Sequence, residues 1–332
     1  MMISLGIEGT AHSIGVGIIS DENGKCNVLS NLIKTYIPEK GGIHPREAAN
    51  HHTNYIADLI SNSIKTACID ISSIDLVSFS KGPGLGPCLR TAATAARALS
   101  LSINKPIMGV NHCVAHLEIG KGTIDDCKDP VLLYVSGANT QVIAFAEGKY
   151  RVFGETLDIG IGNCLDKFGR FVGLEFPSGP KIEKIAQEGK KYLSLPYSIK
   201  GMDISFSGLL TAAEQSIRNK EKIEDVCYSI QETSFAALTE VTERAMAHTE
   251  KNEVLLGGGV ASNSRLRNMV KTMASERNAS FFVPSKDLCI DNGAMIAWLG
   301  SLMYISGKRM TIDESVIDQR FRTDMVDVTW SV

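Results

Sequence analysis

One design occurs twice in this sequence, about half a chain apart. ISLGIEGTAHSIGVGIIS near the start and VLLYVSGANTQVIAF from Val131 are each an apolar segment, a short Gly-containing polar turn and a second apolar segment. Runs rich in Val and Ile on either side of turn residues read as β-hairpins. Two such hairpins are either an internal structural duplication or two short β-hairpins alike by chance, and the helical patterns after each fit an α/β architecture. The chain's 332 residues, 44% hydrophobic and 21% charged, are enough for two cores. The polar stretch from Asp125 to Pro130, directly before the second hairpin, is the expected boundary between them.

Periodicity places the remaining elements. From Pro45 to Cys68 the residues Ala48, Ala49, Tyr55, Ile56, Leu59, Ile60 and Ile64 recur at helical intervals, with proline near the start. Leu76–Ser80 reads as a strand, KGPGLGPCLR as a Gly/Pro turn, TAATAARALSLS as a helix, and Lys105–Val110 as a strand. PSGPKIEKIAQEG and IEDVCYSIQETSFAALTEVTERAMAHTE are helical, and NEVLLGGGVASNSRLRNMVKTMASE is a strand, three glycines and a helix beginning near Asn263. DNGAMIAWLGSLMYISG closes the pattern as an apolar helix with Asp291 at its expected N-cap. Gly-rich turns that open onto helix N-termini present backbone N–H groups to anions.

Several function classes drop out. The net charge of −3 supplies no global basic field, so a polyanion has to be met by local arginines such as Arg90, Arg97, Arg265 and Arg267, or with the help of partners. Eight scattered cysteines with no C-x-x-C pair fit a reducing compartment and argue against a disulfide scaffold or a four-thiolate zinc site. Residues 1–20 contain no Lys or Arg ahead of an apolar stretch, and no apolar run approaches the roughly 20 residues of a membrane helix, so the expected location is the cytoplasm. There is no G-x-x-x-x-G-K-[ST], no G-x-G-x-x-G and no G-x-S-x-G.

The residues with the most chemistry are in NHCVAHLE. His112 and His116, two of seven histidines, share one helical face, where side chains four apart are about 5–6 Å from each other at Cβ. They are either a metal-ligand pair or a pair satisfied in the core. The zinc-peptidase motif H-E-x-x-H is absent, because Cys113, Val114 and Ala115 stand between the histidines and no carboxylate is there to act as general base. Asp291 is either a helix cap or a carboxylate ligand; Ser136, Asn139 and Thr140 are turn residues or phosphate contacts; Asp166 and Lys167 are a solvated helix face or part of a site.

Taken as an ordered set, GIEGTAHSIGVGI, KGPGLGPCLR, GVNHCVAH, LYVSGANTQ, TLDIGIGNCLDKFGR, FPSGP, GMDISFSGLL, SIQETSF, GGGVASNSRLR and DNGAMIA cover nearly the whole chain. This set resembles the tRNA N6-threonylcarbamoyladenosine transferases of the archaeal/eukaryotic branch, the catalytic subunits of KEOPS complexes, once labelled O-sialoglycoprotein endopeptidases. The resemblance implies an α/β, two-lobed actin/Hsp70/sugar-kinase-like (ASKHA) fold. Its N-terminal lobe would be 1–128, completed by 295–332, and its C-terminal lobe 129–294, with nucleotide and metal between them. By the same resemblance His112, His116, Tyr134 and Asp291 would hold one divalent ion, iron or zinc. Tyr134, Val135, Ser136, Gly137 and Ala138 would line the phosphates, Asp166, Gly179 and Glu183 would hold the nucleoside end, and Asn263 would touch the nucleotide. Glu8, in the first turn, is a candidate general base. The family's SGGNT is SGANT here, with Ala138, and its PGGP is PSGP, with Ser178; both put a side chain where glycine is usual.

The reaction implied is transfer of threonylcarbamoyl from threonylcarbamoyl-AMP to N6 of the adenosine 3′ of the anticodon in tRNAs reading ANN codons. ATP or AMP would occupy the same adenine nucleotide site. The partners implied are tRNA, a small atypical kinase/ATPase either free or fused to this chain, dimerising and tRNA-binding KEOPS subunits, and an enzyme supplying threonylcarbamoyl-AMP, with no membrane involved. The rivals are a metallopeptidase, a nucleotide-binding assembly subunit without transfer activity, and a small-molecule kinase of the same fold.

Overall fold

The structure is a computed structural model describing residues 1–38 and 41–330, so the last two residues of the expected segment 295–332 lie outside the described residues. The chain forms two compact units: unit 1 is Met1–Asp126, Glu147–Tyr150 and Pro284–Val332, and unit 2 is Cys127–Ala146 and Arg151–Val283.

Unit 1 begins with β1 (Met2–Glu8), β2 (Ser13–Glu22) and β3 (Lys25–Thr35), then α1 (Pro45–Thr66), β4 (Leu76–Gly82), α2 (Gly86–Ile103), β5 (Ile107–Asn111) and α3 (His112–Thr123). The chain continues through β6 (Val131–Val135), β7 (Thr140–Ala146), β8 (Lys149–Glu155), α4 (Ile161–Phe171), α5 (Gly179–Ala186), β9 (Ile199–Lys200), β10 (Asp203–Ile204), α6 (Ser207–Arg218) and α7 (Ile223–Thr249). It then forms β11 (Glu253–Gly257), α8 (Ser264–Glu276) and β12 (Ser280–Phe282), and returns to unit 1 with α9 (Lys286–Cys289) and α10 (Gly293–Ile305).

Each unit has a five-stranded sheet, in the order β3-β2-β1-β4-β5 and β8-β7-β6-β11-β12. The pairing repeats as well: β1 is antiparallel to β2 and parallel to β4, and β6 is antiparallel to β7 and parallel to β11. The twin hairpins of the sequence are therefore the central strands of two like sheets. The copies diverge at the connection to the fourth strand, which is α1 in unit 1 and the larger helical run α4–α7 in unit 2.

Hydrophobic alternation explains the burial. Leu5, Ile7, Ile14, Val16, Ile18, Val77 and Phe79 fill the unit 1 core with Ala92, Ala93 and Ala96 of α2, whose small side chains allow the helix to lie close to the sheet. Val131, Leu133, Val135, Val254 and Leu256 form the sheet side of the unit 2 core, packed with Phe235, Leu238 and Val241 of α7.

One contact sets the position of the last helix. Gly6 of β1 and Gly17 of β2 are cross-strand partners. A Cβ on Gly6 would stand 2.2 Å from the Gly293 carbonyl, one on Gly17 2.2 Å from the Ala294 nitrogen, and one on Gly293 2.1 Å from the Gly17 nitrogen. No side chain fits these separations, so the first turn of α10 lies backbone against backbone on the hairpin. Its cap is Asn292, whose Oδ1 accepts from Met295 N at 2.9 Å. The expectation that Asp291 caps this helix is overturned: the cap is one residue later, which leaves the Asp291 carboxylate available to face α3.

Candidate functional site

In unit 1 the site is built on α3. Asn111 caps the helix, its Oδ1 accepting from Val114 N at 3.1 Å, and every residue from His112 to Gly120 is buried. The four-residue spacing puts the His112 and His116 rings 4.9 Å apart at their centroids and nearly perpendicular. Asp291 faces both: its Oδ1 is 3.4 Å from His112 Nε2 and 3.3 Å from His116 Nε2. Among the described residues these three are the group of His, Cys, Asp or Glu whose ligand atoms converge, all within 4.8 Å of one another. Two atoms each about 2.0–2.1 Å from a single ion at tetrahedral angles stand about 3.3–3.4 Å apart, which the two edges from Asp291 match.

The residues around the triad prepare it for that role. Glu8, fully buried at the end of β1, places Oε2 3.0 Å from His112 Nδ1. A carboxylate on that side favours a proton on Nδ1, so that Nε2 is the nitrogen that would bind an ion, the usual arrangement for a metal-binding histidine. The other Glu8 oxygen accepts from Thr10 N at 2.8 Å and from the Thr10 hydroxyl at 2.5 Å. Both oxygens of the candidate general base are thus engaged. Burial opposes charge on Asp291, yet the two imidazoles beside it hold its carboxyl well below the usual carboxylate range. Burial also pushes the His116 imidazole down, against the upward pull of Asp291, which favours the neutral ring that binds metals.

Unit 2 contains the other expected residues. Tyr134 is on β6, fully buried and paired with Gly257 and Gln141, and Val135 follows it. The turn from Ser136 to Asn139 is closed by Ser136 N donating to Asn139 O at 2.8 Å. It is fastened to the start of α4, where Gly162 N donates to Ser136 O at 3.1 Å and Asn163 N to Gly137 O at 2.8 Å. Ala138 is exposed and is not among the residues with positive φ, and Ser178 is at φ −85 with its hydroxyl donating to Glu175 O at 3.3 Å. Neither position demands glycine conformationally. Gly258 does: its φ is +92 and a Cβ there would stand 2.3 Å from Val135 O.

The nucleoside-end candidates form a chain of contacts around α5. Asp166 Oδ1 accepts from Ser178 N at 2.7 Å at the start of α5, next to Gly179. Glu183, further along, accepts from Ser264 N at 2.8 Å and from the Ser264 hydroxyl, so it caps the α8 N-terminus. Asn263 caps α8 through Arg265 N and Leu266 N, and its Nδ2 donates to Gln231 Oε1 at 2.7 Å. Gln231 is buried in SIQETSF, one of the ordered motifs, although the sequence assigns it no role of its own. Of the arginines singled out for a polyanion, Arg97 pairs with Ser315, Arg265 with Glu232 and Arg267 with Ala261 O.

A family model described as tRNA N6-adenosine threonylcarbamoyltransferase (TsaD) matches residues 27–298. The chain belongs to that family. A Thermococcus sibiricus tRNA N6-adenosine threonylcarbamoyltransferase is 58% identical over 330 residues, which is 99% of this chain and 100% of the relative. A Methanocaldococcus jannaschii protein called a probable bifunctional tRNA threonylcarbamoyladenosine biosynthesis protein is 57% identical over 99% of this chain, which spans 60% of that longer protein. Among solved structures, Thermococcus kodakarensis HypF aligns at a TM-score of 0.62 with 15% identity, over 95% of this chain and 50% of HypF. Component A of the Acidaminococcus fermentans (R)-2-hydroxyglutaryl-CoA dehydratase aligns at 0.56 with 12% identity, over 90% of this chain and 98% of that one. At such identities these likenesses speak to fold alone, and the fold they share with this threonylcarbamoyltransferase-family chain is the actin/Hsp70/sugar-kinase-like one. No helix among the described residues is long and apolar enough to cross a membrane.

Proposed function

We propose that this chain transfers a threonylcarbamoyl group from threonylcarbamoyl-AMP to the N6 amine of the adenosine 3′ of the anticodon in tRNA, as the catalytic subunit of a KEOPS-type assembly. Membership in a transferase family supports the reaction. The observation that carries the site assignment is the triad His112, His116 and Asp291, with edges of 3.3 and 3.4 Å and with Glu8 favouring the Nδ1–H tautomer of His112.

An ion held there would supply Lewis-acid polarisation of the mixed anhydride and a template for it; a His, His, carboxylate set suits iron or zinc. The family pattern adds Tyr134 as a further ligand. Glu8 favours a proton on His112 Nδ1, and Thr10 holds Glu8 in place. The Ser136–Ala138 turn, fixed by α4, offers backbone amides to the phosphate, while Asp166, Gly179 and Glu183 take the nucleoside end and Asn263 touches the nucleotide. In the transfer, the N6 amine forms a C–N bond to the carbamoyl carbon, the bond from that carbon to the phosphate oxygen breaks, and AMP leaves with the electron pair as the amine gives up a proton. A peptidase would instead require a carboxylate free to act on a metal-bound water. Glu8, the carboxylate nearest to such a role, is engaged with His112 and Thr10.

The test is nucleoside mass analysis of unmodified tRNA incubated with the chain, its partner subunits and enzymatically made threonylcarbamoyl-AMP. Threonylcarbamoyladenosine should form with the wild type and not with His112→Ala. Product from the metal-free variant, or none from a wild type with its partners bound, would overturn the reading.

A further inference from the structure

After α10 the chain runs back along unit 1 as an extended strap, with few elements of its own. Arg97 Nε donates to Ser315 Oγ at 2.7 Å, and Asp318 N donates to Lys81 O at 2.8 Å beyond the core of β4. From there the strap meets the metal helix at two points, its N-terminal cap and its middle. Asn111, the α3 cap, donates from Nδ2 to Phe321 O at 2.9 Å. Trp330 donates from Nε1 to Glu118 Oε1 at 2.8 Å. Asn111 directly precedes His112, and Glu118 is two residues past His116, so the strap's two anchors bracket the two histidines.

Glu118 is unusual enough to need a reason. It is 2% exposed, and the transfer chemistry does not use it. A buried carboxylate is costly unless several donors converge on it. Here the Tyr150 hydroxyl, Trp330 Nε1 and Lys121 Nζ do so, and the Glu118 carbonyl accepts from Trp298 Nε1 of α10 at 2.9 Å. Such a cluster opposes rotation and sliding of the helix that contains it. A ligand set has to be held within about 0.5 Å and 10–20° of its working geometry, which is the service a locked helix provides.

We infer that the strap Asp318–Trp330 is the positioning element of the metal helix. Docked through Asn111 and Glu118, it holds α3 at the rotation that aims His112 Nε2 and His116 Nε2 at Asp291; released, it lets α3 turn and the triad open. The inference rests on the metal reading above. Linkage makes it reciprocal: an ion at the triad must favour the docked strap by the same factor that the docked strap favours the ion.

The experiment uses the full chain and zinc alone, titrated against a chromophoric chelator, with amide hydrogen exchange followed over residues 318–330. Trp330→Phe and Glu118→Ala should each weaken zinc binding about tenfold, in the range found for groups that orient metal ligands. Glu118→Gln, which keeps an acceptor for Trp330, should restore affinity to within about threefold of wild type. The melting temperature of metal-free Trp330→Phe should fall by about 3 °C or less. Val270→Ala, in the unit 2 core, should lower the melting temperature more while leaving zinc affinity unchanged, which separates positioning from general stability. Zinc should slow exchange over 318–330 in the wild type about tenfold. Wild-type zinc affinity in Trp330→Phe, or exchange over 318–330 that ignores zinc, would overturn the inference and leave the metal site standing. A wild type that binds zinc no better than His112→Ala would overturn the metal site, and the inference with it.

Discussion

In unit 1 the turn between the hairpin strands is entered from a buried carboxylate, Glu8 at the end of β1, that is committed to a histidine, whereas in unit 2 the equivalent turn after β6 contains no ionisable side chain and is fastened by its carbonyls to the start of α4. The two sheets have the same strand order and pairing around these turns. Two segments that are not counterparts add to the difference: the one after β5, the fifth strand of its sheet, leads directly into a helix with two histidines, and the one after β11, the fourth strand of the other, leads into glycines and a helix capped by Asn263. One scaffold thus supports charged ligand chemistry in one copy and neutral backbone chemistry in the other. Identity of fold constrains where a site can be, and the residues at the strand ends decide what it does.

The sharpest way to break the comparison is to remove a ligand. Asp291→Ala should abolish stoichiometric metal, measured by elemental analysis, and lower transfer about 10³-fold or more, since Lewis-acid stabilisation is worth several kcal/mol. Thr140→Ala at the start of β7 in unit 2, which loses the hydroxyl accepting from Ile161 N, should leave metal content unchanged. Next in size is backbone packing. Gly17→Val should destabilise unit 1 by about 3 kcal/mol or more in denaturant unfolding, because its Cβ would stand 2.2 Å from the Ala294 nitrogen. Gly258→Ala should cost about 1–3 kcal/mol through its positive φ and its approach to Val135 O.

Glu8 distinguishes orientation from proton transfer. Glu8→Ala should lower zinc affinity about 10–100-fold if the carboxylate serves His112. Unchanged affinity with lost transfer would return Glu8 to the role of general base.

Acid should act differently on the two units. His52, buried on α1 with Nε2 3.1 Å from Ala11 O, is pushed down from 6.5 to about 4, by burial first and by the neighbouring His51 next. The unfolded chain therefore takes up this proton first as pH falls. The stability associated with neutral His52 is complete above about 6.5, declines by about 3 kcal/mol between 6.5 and 4, and is level below that. In unit 2, Asp158 is also partly buried, which raises its pKa, but the amides of Phe206, Ser207 and Ile159 outweigh this and hold it below the usual range. Its contribution is present above the ordinary carboxylate pKa and is lost only as pH falls through the lower folded value. Urea midpoints taken from pH 7 to 4 should decline in the wild type and flatten in His52→Gln. The smallest effect belongs to Ala138→Gly, which should cost up to about 1 kcal/mol and change nucleotide KM less than about threefold, because the site does not need a left-handed residue.

Much of this is legible in the residues. Hairpins, helix periods and the histidine spacing are local signals, and the ordered motifs point to the family. The helix cap falls one position away from Asp291 because Asp and Asn are both good capping residues and they are adjacent here; only the Met295 amide contact chooses between them. The engagement of Glu8 with His112 and of Glu118 with Trp330 joins residues 104 and 212 positions apart, which no local period can register. Gln231 is assigned no role for a similar reason, since its partner Asn263 is on another helix.

The backbone contact among Gly6, Gly17 and Gly293 has a consequence for inheritance. None of the three touches the ion position, yet each sets how closely Asp291 can be brought toward the histidines. A single-base change that gives any of them a side chain would injure the site as surely as losing a ligand would. The mutational target of this centre is therefore wider than its chemistry, and many of its loss-of-function alleles should map to positions that contribute no atom to the reaction.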